Sequence, residues 1–204
     1  CSNSGGVWGA KLKCAGWDAI IVEGKAPEWS YINIVDDKIE ILPAADYVGK
    51  MSEEVDEKLK EAHPGCRVLN IGPAGENLSM LAAIMNDKDR AAGRGGCGAV
   101  MGSKLLKAIT VTSTANAIDG TDEAALKETN KKCLGMIKEN GVTGGGLPTY
   151  GTAVLVNIIN NTGSFPTKNW QESYYEQADD ISGETLKEKY LVKNSACHRC
   201  PIAC

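Results

Sequence analysis

Alternating apolar and polar positions in the first third of the chain predict a β-hairpin and a short helix. In Trp29–Val35 and Lys38–Leu42 the isoleucines alternate with other residues on either side of Asp36-Asp37, the pattern of two strands joined by a tight turn. Ser52–Ala62 repeats its apolar residues at helical spacing, which predicts an amphipathic helix. Three further apolar or β-branched runs predict strands: Ala19–Glu23, Arg67–Ile71 and Leu105–Thr114.

Helical signals dominate the second half of the chain. Thr121–Asn140 predicts a helix with Thr121 as its N-cap, and a glycine follows its end. Gly144–Pro148 predicts a break, because glycine and proline interrupt helices. Tyr150–Asn161 predicts a mostly buried helix, and Ser182–Tyr190 predicts a shorter one.

This change from strands to helices predicts an α+β protein with two domains. We place the boundary near residue 118, so that residues 1–118 form part of a β-sheet-rich domain and residues 119–204 begin an α-helical domain. Leu78–Met85 fits a helix and a strand equally well, and its type stays open.

Composition and charge exclude several classes of partner. The chain has 204 residues, of which 43% are hydrophobic and 24% charged, the proportions of an ordinary globular protein. A net charge of −4 does not suggest a nucleic-acid partner, and we expect none, but it does not exclude a small acidic redox partner. No apolar run approaches the roughly 18–20 residues that a membrane span needs, so we expect no span and a cytoplasmic location. Because cysteines occupy the first and last positions, we expect an internal piece of a longer protein.

The strongest chemical signal is the glycine-rich stretch Arg90–Lys104. Four glycines fall within six positions, and two of the chain's four arginines flank the first of them. Glycine lets a backbone approach a ligand closely, and arginine presents a planar fork of donors that suits phosphate. Gly98–Lys104 is one residue short of a P-loop, and Met101 replaces the third glycine of a dinucleotide fingerprint. The stretch predicts a loop around a phosphate-bearing cofactor, with a flexible solvated loop as the alternative. Cys1–Gly6 is a second, weaker anion-binding candidate.

Three of the eight cysteines, Cys197, Cys200 and Cys204, form the pattern Cys-x2-Cys-x3-Cys. Thiolates spaced this closely can bind one iron–sulfur cluster, and Pro201 helps to fix the turn. Zinc with His198 as a ligand, or unreactive thiols, are the alternatives. A four-cysteine cluster needs one more ligand than this group supplies. The other cysteines, which we expect to be buried free thiols, are Cys1, Cys14, Cys66, Cys97 and Cys133.

These motifs together resemble the tungsten-dependent aldehyde:ferredoxin oxidoreductase family. The resemblance covers nearly the whole chain, and it is specific because the glycine-rich and the cysteine motifs both match. The stretches that carry it are Asn3–Gly9, Ala15–Ala26, Ile71–Asn77, Ala82–Asp87, Arg90–Lys104 with Lys107–Ile109, Gly144–Asn160 and Cys197–Cys204.

The resemblance implies a tungsten atom held by the sulfurs of two pterins in the β-rich domain, with a Mg²⁺ ion between the pterin phosphates. It implies a [4Fe-4S] cluster at Cys197, Cys200 and Cys204. The backbone carbonyls of Asn3 and Ala91 would bind Mg²⁺. The catalytic residues stay unknown, because the family's substrate-contacting residues match nothing in this chain. The residues that match the family's pterin contacts are Asn3, Gly5, Arg90, Ala91, Gly93 and Arg94.

The resemblance also implies an activity: oxidation of small aldehydes to carboxylates with ferredoxin as electron acceptor. One alternative is a related tungsten enzyme that reduces an aromatic acyl-thioester. Another is a non-catalytic iron–sulfur electron-transfer module. A homo-oligomer or additional electron-transfer subunits are compatible with each of them.

Overall fold

The computed structural model describes residues 1–116, 120 and 122–204. The chain divides into two compact units, Cys1–Asp119 and Gly120–Cys204. The first unit contains a mixed sheet with helices, and the second contains helices and turns. The predicted α+β class is therefore confirmed. The predicted boundary at residue 118 lies outside the described residues.

The strands of the first unit form one mixed sheet. They are β1 (Ser30–Val35), β2 (Lys38–Pro43), β3 (Arg67–Asn70), β4 (Ile84–Asn86), β5 (Arg90–Ala92) and β6 (Leu106–Thr112). Across the described residues the order is β2-β1-β6-β3-β4-β5, with β1 and β6 parallel and the other neighbours antiparallel. The helices of this unit are α1 (Trp8–Cys14), α2 (Ser52–Ala62), α3 (Pro73–Glu76) and α4 (Cys97–Ser103).

The predicted hairpin and the predicted helix at Ser52–Ala62 are both confirmed. Asp36 takes a positive φ of 51° in the hairpin turn, a conformation that Asp tolerates better than most residues. Its carboxylate accepts hydrogen bonds from the Thr114 backbone N–H (2.9 Å) and hydroxyl (3.0 Å). These bonds hold the pKa of Asp36 below its usual value. The turn is thereby fixed to the chain that follows β6.

Two apolar cores cover the two faces of the sheet. In β6, Ile109 and Val111 belong to one core, and Ala108, the residue before Ile109, belongs to the other. Successive residues of a strand point to opposite faces of the sheet. Leu12 of α1 and Met101 of α4 pack in the first core. The apolar side of α2 packs in the second. Both cores meet at β6, which is buried along almost its whole length.

One prediction in this unit is wrong, and one segment whose type was left open can now be assigned. Ala19–Glu23 is not a strand: it runs without a ladder, and Ile21 is 86% exposed. Ile20 and Val22 pack on the first core, so the apolar pattern reflects this packing and not pairing with another strand. In Leu78–Met85 only the last two residues join a strand, and the rest is turn, with Leu81 90% exposed.

The second unit has four α-helices among its described residues, of which only the first is longer than two turns. They are α5 (Glu123–Glu139), α6 (Leu147–Tyr150), α7 (Leu155–Asn161) and α8 (Gly183–Lys189), with a π-helical turn at Val142–Gly146. α8 confirms the prediction at Ser182–Tyr190, and the Ser182 hydroxyl caps it by accepting from the Thr185 N–H at 3.2 Å. The N-cap of α5 is Asp122, whose carboxylate accepts from the Ala125 N–H, and not Thr121, which lies outside the described residues.

Two further predictions in this unit need correction, one in its secondary structure and one in its burial. Gly144–Pro148 is helical and not a break: the Asn140 side chain accepts from the N–H groups of Val142 (2.9 Å) and Thr143 (3.1 Å) and starts a new helical turn. Tyr150–Asn161 is helical as predicted, as a 3-10 helix over Gly151–Val154 followed by α7, but it is not mostly buried, because only Asn160 of α7 is buried. Several large apolar side chains of α5 and α7 are exposed to solvent, among them Leu134, Met136 and Ile158.

No helix in the described part of the chain is long and apolar enough to cross a membrane.

The scattered cysteines differ in burial, so the prediction that they are all buried is wrong. Cys66 is buried, whereas Cys1 and Cys133 are exposed. Burial raises the pKa of the Cys66 thiol from 9.0 to about 11. Because the folded state holds this proton more tightly, the stabilisation from the neutral thiol is present below about pH 9 and is lost as the pH rises towards 11.

Cys66 should therefore resist alkylation in the folded protein. Iodoacetamide reacts with thiolates, and at about pH 8 almost none of a buried thiol with this pKa is ionised. We expect peptide mass spectrometry to find Cys133 modified within minutes and Cys66 unmodified until urea unfolds the chain. Equal labelling rates of the two thiols in the folded protein would contradict this expectation.

Candidate cofactor site

The two stretches predicted to bind phosphate lie side by side in the first unit. The Arg94 backbone N–H donates a hydrogen bond to the Ser2 hydroxyl at 3.0 Å. The Asn86 side-chain Nδ2 donates to the Gly5 carbonyl oxygen at 2.5 Å. These bonds join positions 92 and 81 residues apart. Asn3, which lies between Ser2 and Gly5, is thereby held beside the glycine-rich stretch.

A tight hairpin positions the arginine side of the site. β4 and β5 pair antiparallel, with Asn86 opposite Arg90 and Met85 opposite Ala91. Asp87 follows β4 with a φ of 52° and begins the reversal. β5 is the last strand in the order of the described sheet, so the backbone groups on its outer side have no strand partner. Pairing with β4 thus fixes the position of Arg90 and Ala91 in the hairpin.

The glycine-rich stretch was predicted to form one loop, and this prediction is wrong. It begins as β5, turns through residues 93–96 and continues as α4. Several of its glycines serve chain packing and not ligand approach. A Cβ on Gly96 would lie 2.8 Å from the Met80 carbonyl oxygen, and one on Gly102 would lie 2.0 Å from that of Gly75. These glycines let α4 pack directly against neighbouring backbone.

Gly93 differs from the other glycines of the stretch. No heavy atom of the described residues lies within 4 Å of the position that a Cβ would take there. The backbone at Gly93 therefore faces open space, directly after β5 and directly before Arg94. Of the predicted site residues, Arg90 is half-buried, and the exposed ones are Asn3, Gly5, Ala91, Gly93 and Arg94.

Cys97 closes the loop on its helical side. It is the first residue of α4, and its thiol donates to the Arg94 carbonyl oxygen at 3.3 Å. Gly95 and Gly96 before it have φ values of 71° and 64°, which glycine adopts without strain. The turn is therefore specified by glycine conformation on one side and by a thiol hydrogen bond on the other.

The three clustered cysteines form a turn in the second unit. The Cys200 N–H donates to the Cys197 carbonyl oxygen at 3.1 Å, and Cys204 is exposed. The Asn194 amide donates to the carbonyl oxygens of Pro148 (2.8 Å) and Ala203 (2.9 Å), which holds the end of this turn against α6. Within the described ranges no three His, Cys, Asp or Glu side chains converge in a metal-binding arrangement. The thiols share one turn, but they do not converge.

The residues present fit the groups that the sequence implies. Exposed backbone, open space at Gly93 and two guanidinium groups are the donor set that a phosphate-bearing pterin requires. Thiols on one turn are the donor set that iron in a cluster requires. Sequence reasoning missed Ser2, Asn86 and Asn194, because single polar residues that bond to distant backbone leave no periodic signal.

The chain matches two family models that together describe a class of oxidoreductases. "Aldehyde ferredoxin oxidoreductase, N-terminal domain" matches residues 1–113, and "Aldehyde ferredoxin oxidoreductase, domains 2 & 3" matches residues 128–204. The chain belongs to the aldehyde ferredoxin oxidoreductase family. The family predicted from the sequence is therefore confirmed.

Individual relatives agree with this family. The chain is 49% identical over its whole length to a tungsten-containing aldehyde ferredoxin oxidoreductase of Pyrococcus abyssi and 48% identical to that of Thermococcus kodakarensis. It is 33% identical over 96% of its length to the WOR-like subunit of an aliphatic sulfonate oxidoreductase from Pyrococcus furiosus. The chain spans about a third of the length of these relatives, 34%, 34% and 33% respectively.

A solved structure has the same fold. The BamBC active-site complex of benzoyl coenzyme A reductase, bound to 1,5-dienoyl-CoA, superposes with a TM-score of 0.78 and 30% identity. The match covers 100% of this chain and 33% of the other.

Proposed function

We propose that this chain is part of a tungsten-pterin oxidoreductase that oxidises aldehydes to carboxylates, with ferredoxin as electron acceptor. The observation that carries the proposal is the pair of hydrogen bonds that places Asn3 and Gly5 beside Arg90–Arg94. Aldehydes are favoured as substrates because the relatives at 48–49% identity are named aldehyde ferredoxin oxidoreductases.

In this proposal the first unit binds the pterin phosphates. The guanidinium groups of Arg90 and Arg94 pair with phosphate, where each charge-assisted contact is worth about 1.5–3 kcal/mol. The backbone carbonyls of Asn3 and Ala91 bind Mg²⁺, a cation that prefers oxygen ligands. Gly93 leaves space for the cofactor against the backbone. Each of these residues positions the cofactor and none is an acid or a base.

The bound tungsten pterin would supply the two-electron chemistry by which an aldehyde and water give a carboxylate, three protons and two electrons. Cys197, Cys200 and Cys204 would hold iron of a [4Fe-4S] cluster, with a fourth ligand from elsewhere. Asn194 would fix the turn that carries these thiols. We assign no catalytic acid or base to this chain.

Metal analysis of the native, anaerobically purified protein tests the proposal. We expect tungsten and iron together, and ferredoxin-linked oxidation of short aldehydes. Replacing both Arg90 and Arg94 by Ala should lower the tungsten content at least about tenfold while iron is retained, because two phosphate contacts are lost. Cys200→Ser should change the iron–sulfur signal in electron paramagnetic resonance while tungsten is retained.

Arg67→Ala is the matched control for the arginine variant. Arg67 lies in the same unit, and its side chain forms an ion pair with Asp87 at 3.6 Å. It should leave the tungsten content unchanged. Full tungsten content in the double arginine variant would exclude this phosphate site. Iron without tungsten in the native protein would indicate an electron carrier, and zinc alone would indicate a structural module.

A second candidate is reduction of an aromatic acyl-thioester. It is supported by the similarity to benzoyl coenzyme A reductase, at a TM-score of 0.78 and 30% identity. Both candidates use the same cofactor residues, so metal content does not separate them. Turnover does: aldehyde oxidation without acyl-thioester reduction supports the first, and the reverse result supports the second.

A further inference from the structure

We propose that Asn86 is a positioning residue that holds the Asn3–Gly5 backbone in its cofactor-binding place. Asn86 ends β4 and is only 4% exposed. Its Nδ2 donates to the Gly5 carbonyl oxygen at 2.5 Å. Because that oxygen is only an acceptor, the amide must present its nitrogen there. This inference rests on the proposed function, since it gives a role to a residue next to the proposed site.

The start of the chain is fitted closely to this side chain. Gly6 has a φ of 96°, a conformation that residues with a Cβ rarely adopt. A Cβ at Gly6 would lie 2.8 Å from Nδ2 and 3.1 Å from Oδ1 of Asn86. The absence of a side chain at Gly6 therefore allows the backbone to reach Asn86. The contact depends on residue type at both of its ends.

Asn86 also connects the two halves of the site. It lies opposite Arg90 in the β4–β5 pair, so its backbone belongs to the hairpin that carries the arginines. Its side chain reaches Gly5, 81 residues earlier in the chain. The buried Oδ1 has no hydrogen-bond partner within the described residues, although most buried polar atoms have one. The Asn86 amide thus bonds to Gly5 through its nitrogen, while its oxygen has no hydrogen-bond partner among the described residues.

Asn86→Asp removes the donor and places a carboxylate oxygen against the Gly5 carbonyl. We expect the tungsten content per chain to fall about tenfold, the effect of one lost hydrogen bond with added repulsion. Iron content should be unchanged. Hydrogen–deuterium exchange at residues 2–6 should accelerate in protein prepared without tungsten, because the segment is released from β4.

The matched control is Asn70→Asp. Asn70 lies in the neighbouring strand β3, is fully buried and donates Nδ2 to the Ser52 carbonyl oxygen at 3.2 Å. Its Oδ1, like that of Asn86, has no hydrogen-bond partner in the part of the chain that the structure describes. It should lower the thermal midpoint as much as Asn86→Asp does, but leave tungsten and exchange at residues 2–6 near the native values. Equal tungsten loss in both variants would show that Asn86 is merely structural and overturn the proposal.

A second pair of variants tests the contact from its other end, on a residue that is only half-buried. Gly6→Ala puts a methyl group against the Asn86 amide and should lower tungsten like Asn86→Asp. Gly16→Ala is its control: Gly16 has the same φ of 96°, but no described atom lies within 4 Å of its Cβ position. Normal tungsten in Gly6→Ala and Asn86→Asp would overturn the positioning role alone. Absence of tungsten from the native protein would instead overturn the proposed function.

Discussion

Replacing Lys107 by Met should lower the free energy of unfolding by about 3–5 kcal/mol, because it leaves a buried carboxylate without its cation. The Lys107 side chain is fully buried in β6, and its Nζ donates to the Glu76 carboxylate and to the carbonyl oxygens of Ile71 (2.6 Å) and Lys50 (3.3 Å). Glu76 in turn accepts from the Gly49 N–H at 2.9 Å. Burial lowers the pKa of Lys107, and the hydrogen bond from Lys107 to Glu76 opposes that shift.

Urea unfolding followed by tryptophan fluorescence measures this loss. Adding Glu76→Gln to Lys107→Met should recover part of it, since no charge is then left buried. Lys88→Met is a control in the same unit, because the ion pairs of Lys88 with Glu53 and Glu57 are exposed. It should leave the unfolding midpoint almost unchanged. A Lys107→Met protein that is as stable as this control would contradict a stabilising role for the buried pair.

Gly102→Ala should lower the free energy of unfolding about as much as Lys107→Met does, but for a steric reason. Its Cβ would lie 2.0 Å from the Gly75 carbonyl oxygen, which is backbone and cannot rotate away. α4 and α3 would have to separate, at a cost of about 3 kcal/mol or more, the upper end for overpacking. Since α4 follows directly from residues 93–96, we expect tungsten content to fall as well. Thermal unfolding with metal analysis measures both effects.

Gly93→Ala provides the contrasting variant in the same stretch. An added Cβ there contacts no described atom, so the unfolding temperature should stay near the native value. The tungsten content should still fall, because the methyl group occupies the space assigned to the cofactor. Unchanged stability in Gly102→Ala would mean that α3 and α4 are not held as closely as the contact between Gly75 and Gly102 indicates.

Local patterns predicted the elements whose causes are local. The hairpin at Asp36 and the helix Ser52–Ala62 follow from residues next to each other in sequence. The strand predicted at Ala19–Glu23 is wrong because an apolar run does not indicate whether a neighbouring strand is available to pair with it. The break predicted at Gly144–Pro148 is wrong because hydrogen bonds to the Asn140 side chain start a new helical turn. This effect outweighs the low helix propensity of glycine.

The candidate site could be predicted only in part, for a similar reason. Composition indicated that Arg90–Lys104 is chemically important, but it did not distinguish Gly93, which faces open space, from Gly102, which faces backbone. That distinction depends on the distant residue Gly75. The link through Asn86 depends on the sheet that brings residues 5 and 86 together. The binding roles of these residues stay predictions until metal content is measured.

The position of β6 in the sheet also constrains when the first unit can fold as the chain is synthesised. β6 comes last among the described strands in sequence, yet it lies between β1 and β3. Until Leu106–Thr112 has left the ribosome, β1–β2 and β3–β4–β5 cannot be joined into one sheet, and each lacks the strand that covers one of its edges. Such edges are prone to wrong pairing during translation. Insertion of β6 joins the pieces and buries Lys107 in the same event, so the first unit closes only after its last strand emerges.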